Sequence, residues 1–345
     1  MESLPTVRDL GEQALLKRLQ AFCPPEVIGD DGAVLAWNDP PGKTSSLVIT
    51  TDLLVDGVHF SLGLATPGVH TTSPEDAGWR AAAANLSDLA AMGAQPIGIT
   101  VGLGLPGEVP IAWVEEIYQG LVSCLHPHNT PIVGGDVCRS PIFTVAITAF
   151  GRVAPPLAIR RSAAQVGDAI VVTGLHGASR AGLQLLLHPE QGQALSLEER
   201  QGLIQAHQRP IPRLDVIPIL QELWAAHRLS RSIAGMDSSD GLADAVLQLC
   251  RASGVGARLE RAALPIPDSL QKITTPETAL EWTLYGGEDF ELVLCLPLEV
   301  AESLVSQLGQ QAAVIGTIAD DLEVRVYDPK GQEETLSLAL GFQHF

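Results

Sequence analysis

Apolar and polar positions along the chain recur in two periods, and the switches between them mark out the elements. From residue 6 to 22, Leu10, Ala14, Leu15, Leu19 and Phe22 recur at helical spacing until Pro24-Pro25 ends the run. Val27 to Leu35 reads as a strand interrupted by Asp30-Asp31. Leu47-Val48-Ile49 is an apolar run that delivers Thr50, Thr51 and Asp52 at its end. The next helix is clearly punctuated: Ser73 is its N-cap, Pro74 its first residue, Asp76 lies three residues after the cap, and Gly93 terminates it. The pattern then predicts a strand over 97–105, a helix over 111–125, a strand from Ile132 into Gly134-Gly135-Asp136, and a long β run over 142–153.

Ala154-Pro155-Pro156 marks a domain boundary, dividing the chain into 1–154 and 155–345. Beyond it, 168–173 reads as a strand and Gly177 to Leu187 as a helix, and Ser196 with Glu199 caps another helix. Arg209-Pro210-Ile211-Pro212-Arg213 is a rigid connector. Gly235 to Gly241 opens a helix whose buried face is Leu242, Ala245, Val246, Leu249 and Cys250. A strand at 290–296, a helix at 298–308 and strands near 313–318 and 323–327 complete the pattern. Helices and strands alternate in both halves, but the 142–153 run has no crossover helix. The expected class is therefore α+β, two α/β domains, and not a doubly wound sheet.

Composition narrows the function classes. The 345 residues suit two domains, and 46% hydrophobic with 18% charged residues makes the chain globular. A net charge of −19 argues against a nucleic-acid partner, whose phosphates need Lys and Arg. Cys23, Cys124, Cys138, Cys250 and Cys295 are scattered and form no C-x-x-C pair, as expected of thiols in a reducing compartment. The alanine-rich stretch from Ala81 to Leu105 is broken by Asn85, Asp88 and Gln95, a poor membrane span, and the first residues do not resemble a signal peptide. A cytoplasmic protein with no membrane partner is expected.

The chemistry lies in acidic corners: Asp30-Asp31, Asp52, Asp88, Asp136, and Asp237 with Asp240. Any one Asp-Gly pair reads as a turn. Asp88, however, falls in the last turns of its helix, where a carboxylate opposes the helix dipole unless a cation compensates. If the corners converge, they form a carboxylate cage for several Mg²⁺ ions, whose natural ligand is a polyphosphate. Phosphoryl transfer asks little more of a protein than positioning and charge neutralisation. Glycines at 134–135, 177 and 286–287 would let backbone amides approach phosphate oxygens, and Arg160 or Arg161 would meet phosphate or pair with acids. The chain has no P-loop and no protein-kinase motif set. Gly102 to Gly107 matches G-x-G-x-x-G literally, but Pro106 and Pro110 prevent a helix from opening on the last glycine. Taken singly, Glu288-Asp289 reads as a solvated turn before its strand and His59 as a structural histidine.

In combination and in this order, the motifs resemble the thiamine-monophosphate kinase family, within the aminoimidazole ribonucleotide synthetase-like superfamily. The resemblance is carried by Ile28-Gly29-Asp30-Asp31, Thr50-Thr51-Asp52 through His59-Phe60, Asn85-Leu86-Ser87-Asp88 through Gly93, Gly134-Gly135-Asp136, Met236 to Leu242, Gly286 to Phe290, and Gly341-Phe342-Gln343-His344-Phe345. It implies two α/β domains with the N-terminal sheet forming a homodimer interface, and ATP meeting thiamine monophosphate in a cleft. By resemblance, Asp31, Thr50, Thr51, Asp52, Asp88, Asp136, Asp237 and Asp240 hold magnesium. Gly135, Asp136, Arg161 and Ser239 contact ATP, and His59, Glu288 and Phe342 line the thiamine site. The implied reaction is direct in-line transfer of the γ-phosphoryl group to the substrate phosphate, with no covalent enzyme intermediate. Two other readings stand beside it: another ATP-dependent enzyme of the same superfamily, or a non-catalytic protein that binds nucleotide or metal.

Overall fold

The computed structural model describes residues 6–24, 29–37, 45–226, 229 and 231–341. Two short helices open the chain, α1 (Val7–Leu10) and α2 (Glu12–Gln20). Gly11, at φ 74°, splits what the periodicity predicts as one helix. Next come β1 (Ala33–Trp37), β2 (Ser45–Val55), α3 (Pro74–Ala91), β3 (Gln95–Leu105), α4 (Ile111–Leu125), β4 (Ile132–Arg139) and β5 (Thr144–Val153). The expected strand from Val27 begins only at Ala33; Asp30 and Asp31 lie in the bend before it, and 25–28 fall outside the described residues.

The five strands form one sheet in the order β1-β2-β5-β3-β4. Burial along β2 alternates, so Val48, Thr50, Asp52 and Leu54 face inward while Ile49, Thr51 and Leu53 face out. Helix α3 covers the inner face. Ser73 caps it, its hydroxyl accepting the Asp76 N–H at 3.1 Å, and it is buried along nearly its whole length. It needs small side chains because it is enclosed from several sides: β2 and β5, α4, and elements of the second half all pack on it. Helices α3 and α4 touch through glycine. A Cβ at Gly120 would run into the backbone of Glu75 and Trp79, and one at Gly78 into that of Ile117. Gly120→Ala is therefore expected to destabilise the fold by about 1–3 kcal/mol, as overpacked cores do. Chemical denaturation checks this, and an unchanged midpoint would show that the helices can separate freely.

The second half comprises β6 (Ala169–Val172), α5 (Ala178–Leu187), α6 (Leu197–Gln208), α7 (Val216–Ala225), β7 (Ala234–Asp237), α8 (Leu242–Ser253), β8 (Gly256–Glu260), α9 (Pro276–Tyr285), β9 (Leu292–Leu296), α10 (Leu298–Leu308), β10 (Ala313–Ala319), β11 (Val324–Tyr327) and β12 (Glu333–Thr335). Its seven strands form a second sheet, β12-β11-β8-β10-β6-β9-β7. The hydrophobic pattern did not single out α7 and α9, although Thr275 caps α9 and Pro276 opens it. One apolar cluster crosses between the halves, running from Val48 and Ile147 to Val171, Leu292 and Leu294. No helix among the described residues is long and apolar enough to cross a membrane.

Candidate active site

The acidic corners converge where the two halves meet. Asp52 comes from the inner face of β2, Asp88 from the end of α3, Asp31 from the bend before β1, and Asp237 from the end of β7. Asp31, Asp88 and Asp237 each offer a carboxylate oxygen within 4.8 Å of the other two. Thr50 sits under the cluster and donates its hydroxyl to Asp88, while Ser87 donates to Asp237 at 2.7 Å. Ser239 also donates its hydroxyl to Asp237, at 2.8 Å. Asp52, Asp88, Asp237, Ser239 and Asp240 line a cleft of about 570 Å³.

This packing strains the charges. Burial, followed by the neighbouring carboxylates Asp52, Asp237 and Asp31, pushes Asp88 well above the ordinary carboxylate range. Asp31 is pushed up to about 7 by burial, against the opposing pull of Arg161, and Asp52 up to about 6 by burial and Asp237. Asp240 reaches about 7, through desolvation first and then Asp244, Asp237 and Glu12. The Glu12 contribution comes from α2, whose side chain also lines the cleft and which sequence reasoning missed.

The Gly286–Glu291 turn lines the same cleft through Gly286, Gly287, Glu288 and Phe290, and each of its acids has its own task. Glu288 pairs with Arg80 of α3 and lies 3.6 Å from His207 Nδ1. Asp289 accepts the N–H groups of Gly177 at 2.7 Å and Ser179 at 2.9 Å, and so caps α5. Glu291 binds Thr173 and Arg213. The expectation that the Gly177 amide is open to phosphate is corrected here, because Asp289 already occupies it. His59 lines the same cleft, its Nδ1 accepting the Val55 N–H at 3.1 Å.

The remaining sequence candidates are placed differently. Arg161 donates to Asp31 at 2.5 Å and Arg160 to Asp30 at 2.9 Å, so Arg161 is the arginine that reaches the carboxylate cluster. Thr51 points to the outer face of the sheet, its hydroxyl 2.8 Å from that of Thr148. Gly135 and Asp136 lie on the exposed edge strand β4, with β5 and β3 between it and β2. Neither Thr51 nor Asp136 is brought to the cleft. Phe342 lies outside the described residues; Leu340 and Gly341, just before it, line the cleft.

The donor set suits a hard divalent cation. It is all oxygen, its carboxylates repel one another, and the second oxygen of Asp31 is buried without a hydrogen-bond partner.

The chain matches known proteins along nearly its whole length. Residues 29–153 match the family model "AIR synthase related protein, N-terminal domain", and 165–329 match "AIR synthase related protein, C-terminal domain". The chain is 51% identical over 342 residues to a thiamine-monophosphate kinase of Synechococcus elongatus, covering 99% of this chain and 98% of the relative. It is 37% identical over 324 residues to that of Escherichia coli K12, covering 92% and 91%. A solved structure described as AaThiL complexed with AMPPCP and TMP superposes with a TM-score of 0.82 at 28% identity, over 100% of both chains. With both halves matched and the relatives covered nearly end to end, the chain belongs to the thiamine-monophosphate kinase family.

Proposed function

We propose that the protein transfers the γ-phosphoryl group of ATP directly to the phosphate of thiamine monophosphate, yielding thiamine diphosphate and ADP. One observation carries the reading: a carboxylate cluster anchored to α3 at Ser87 and an acidic turn anchored two helical turns earlier at Arg80 line the same cleft. That is what a polyphosphate donor and an acceptor with a phosphate and a cationic ring require. The kinase relatives and the neighbour bound to AMPPCP and TMP support it.

Asp31, Asp52, Asp88, Asp237 and Asp240, with Thr50 beneath them, would hold Mg²⁺. Bound there, Mg²⁺ would supply charge neutralisation for the phosphates. The chain itself positions the reactants. Arg161 and Ser239 face the ATP phosphates. Glu288 and His59 would face the thiazolium, and Phe342, outside the described residues, is assigned to the thiamine site by resemblance alone. An oxygen of the acceptor phosphate attacks, the bond to ADP breaks, and no side chain is needed as a nucleophile.

The N-terminal portion, 1–154, supplies Asp31, Thr50, Asp52 and Asp88 to the metal cluster, and 155–345 completes the cleft with Asp237, Asp240, Arg161 and Ser239. A homodimer through the N-terminal sheet is supported by β4, an edge strand with Val133 and Val137 exposed, and by the outward-facing Leu53 of β2. Gly135, Asp136 and Thr51 lie on that uncovered part of the sheet. Light scattering tests the dimer.

The decisive assay follows ADP and thiamine diphosphate formation from ATP and Mg²⁺, with thiamine monophosphate present, absent, or replaced by thiamine. Diphosphate formed only from the monophosphate is expected. ATP binding without turnover on any thiamine species would favour a sister enzyme or a pure binder.

A further inference from the structure

We infer that Arg80 is the positioning residue of the acceptor site, one guanidinium holding both His59 and Glu288 in place across the junction of the two halves. The inference rests on the thiamine monophosphate reading above.

Arg80 lies in the alanine-rich body of α3, and only 2% of its side chain is exposed. Its Nε donates to the His59 carbonyl at 3.1 Å, and its terminal nitrogens donate to the His207 carbonyl and to Glu288 Oε1. Its three partners sit on separate segments: the loop after β2, the end of α6, and the turn before β9. A planar fork can serve three fixed acceptors at once, whereas a single ammonium on a flexible stem cannot hold the same geometry.

The acceptor side needs such a device. Glu288 has φ 60° between Gly287 at 65° and Phe290 at 53°, backbone that side chains rarely adopt. Its N–H is tied to the Ser239 carbonyl at 2.7 Å. With the backbone so constrained, the partners of its carboxylate decide where the negative charge points. Glu288 opens to the cleft, its side chain 32% exposed, while Arg80 lines the wall with its side chain only 2% exposed. A salt bridge that served stability alone would have no reason to present one member to the ligand space.

Glu288 faces Arg80 from α3, His207 from α6, His59 from the loop after β2, and Asp289 beside it in the chain. Enclosure favours the neutral acid, but Arg80, His207 and His59 outweigh it and hold the carboxyl below its ordinary range. His207 is itself pushed down to about 4, by burial and then by Arg80, with Arg180 of α5 acting in the same direction, so at neutral pH the permanent charge bonded to Glu288 is the Arg80 guanidinium.

Steady-state kinetics of the full chain, with each substrate varied separately across pH, test the inference. Arg80→Gln should raise KM for thiamine monophosphate by roughly tenfold or more, the loss of a charge-assisted hydrogen bond, with KM for ATP nearly unchanged. It should also steepen the acid side of kcat/KM for thiamine monophosphate relative to wild type, with the profile for ATP unchanged, because Glu288 then protonates at higher pH than when Arg80 holds it. Adding Glu288→Gln should erase that steepening. Arg80→Lys should recover the wild-type pH profile but only part of the affinity, and it carries the test if the Gln variant fails to fold. An unchanged KM, or equal losses for both substrates with an unaltered pH profile, would overturn the inference while leaving the kinase reading intact. A wild-type chain that forms no thiamine diphosphate would overturn both.

Discussion

Asp88→Asn is expected to lower kcat by about a thousandfold or more while making the metal-free chain more stable at neutral pH. The catalytic loss follows from removing a carboxylate that faces Asp31 and Asp237 within 4.8 Å, since metal-borne charge stabilisation is worth several kcal/mol in the transition state. The gain in stability has the same origin. Without a cation, Asp88 sits among Asp52, Asp237 and Asp31 near the C-terminal end of α3, where both its neighbours and the helix dipole oppose its charge. Asparagine keeps the shape and can still accept the Thr50 hydroxyl. Turnover assays and thermal melts without Mg²⁺ measure the two effects. A variant with wild-type kcat would remove Asp88 from the metal site, and one less stable than wild type would show that the carboxylate is satisfied without a cation.

The second large effect is a pH dependence of stability that Mg²⁺ reverses. Asp31 and Asp240 are pushed up to about 7 and Asp52 to about 6, so the folded chain holds more protons than the unfolded one between the ordinary carboxylate value and about 7. With more protons on the native state, metal-free stability falls as pH rises through that window. A cation that binds only the folded, ionised cluster adds stability by mass action, and adds most where the carboxylates are deprotonated. Melting curves should therefore show Tm falling from pH 5 to pH 8 in chelator. Mg²⁺ should raise Tm by several degrees at pH 8 and by little at pH 5. A Mg²⁺ shift of the same size at both pH values would mean that the ion does not act through these carboxylates.

Much of this site is legible in the sequence because its acids end strands and helices that announce themselves. The Ser73 cap and Pro74 place α3, and with it Asp88, to within a residue or two. Alternation along β2 places Asp52 inward, and the same alternation assigns Thr51 to the opposite face, a consequence of period two that the motif Thr50-Thr51-Asp52 conceals. Arg80 could not be read this way. An arginine in an alanine-rich helix looks like a solvent-facing residue, and its partner Glu288 lies 208 positions further on, joined to it only by the fold. The turn from Gly286 to Glu291 hides its roles for a similar reason. Local sequence shows a run of acids before a strand, whereas the anchors that divide them, Arg80, the start of α5 and Arg213, come from elsewhere. Edge position is equally silent: Ile132 to Asp136 reads correctly as strand, but nothing in it says that one side remains unpaired.

The two links from α3 to the second half also bear on how the cleft could open. Arg80 and Ser87 are seven residues apart, two helical turns, and so lie on the same side of the helix. One grips Glu288 and the other Asp237, with an apolar cluster continuous between the halves behind them. A clamshell that hinged along this helix would have to tear a carboxylate from its donor at each end and split the core. The cleft is thus bounded by two links that tie α3 to the second half, and Glu12 of α2, Leu340 and Gly341 complete its lining.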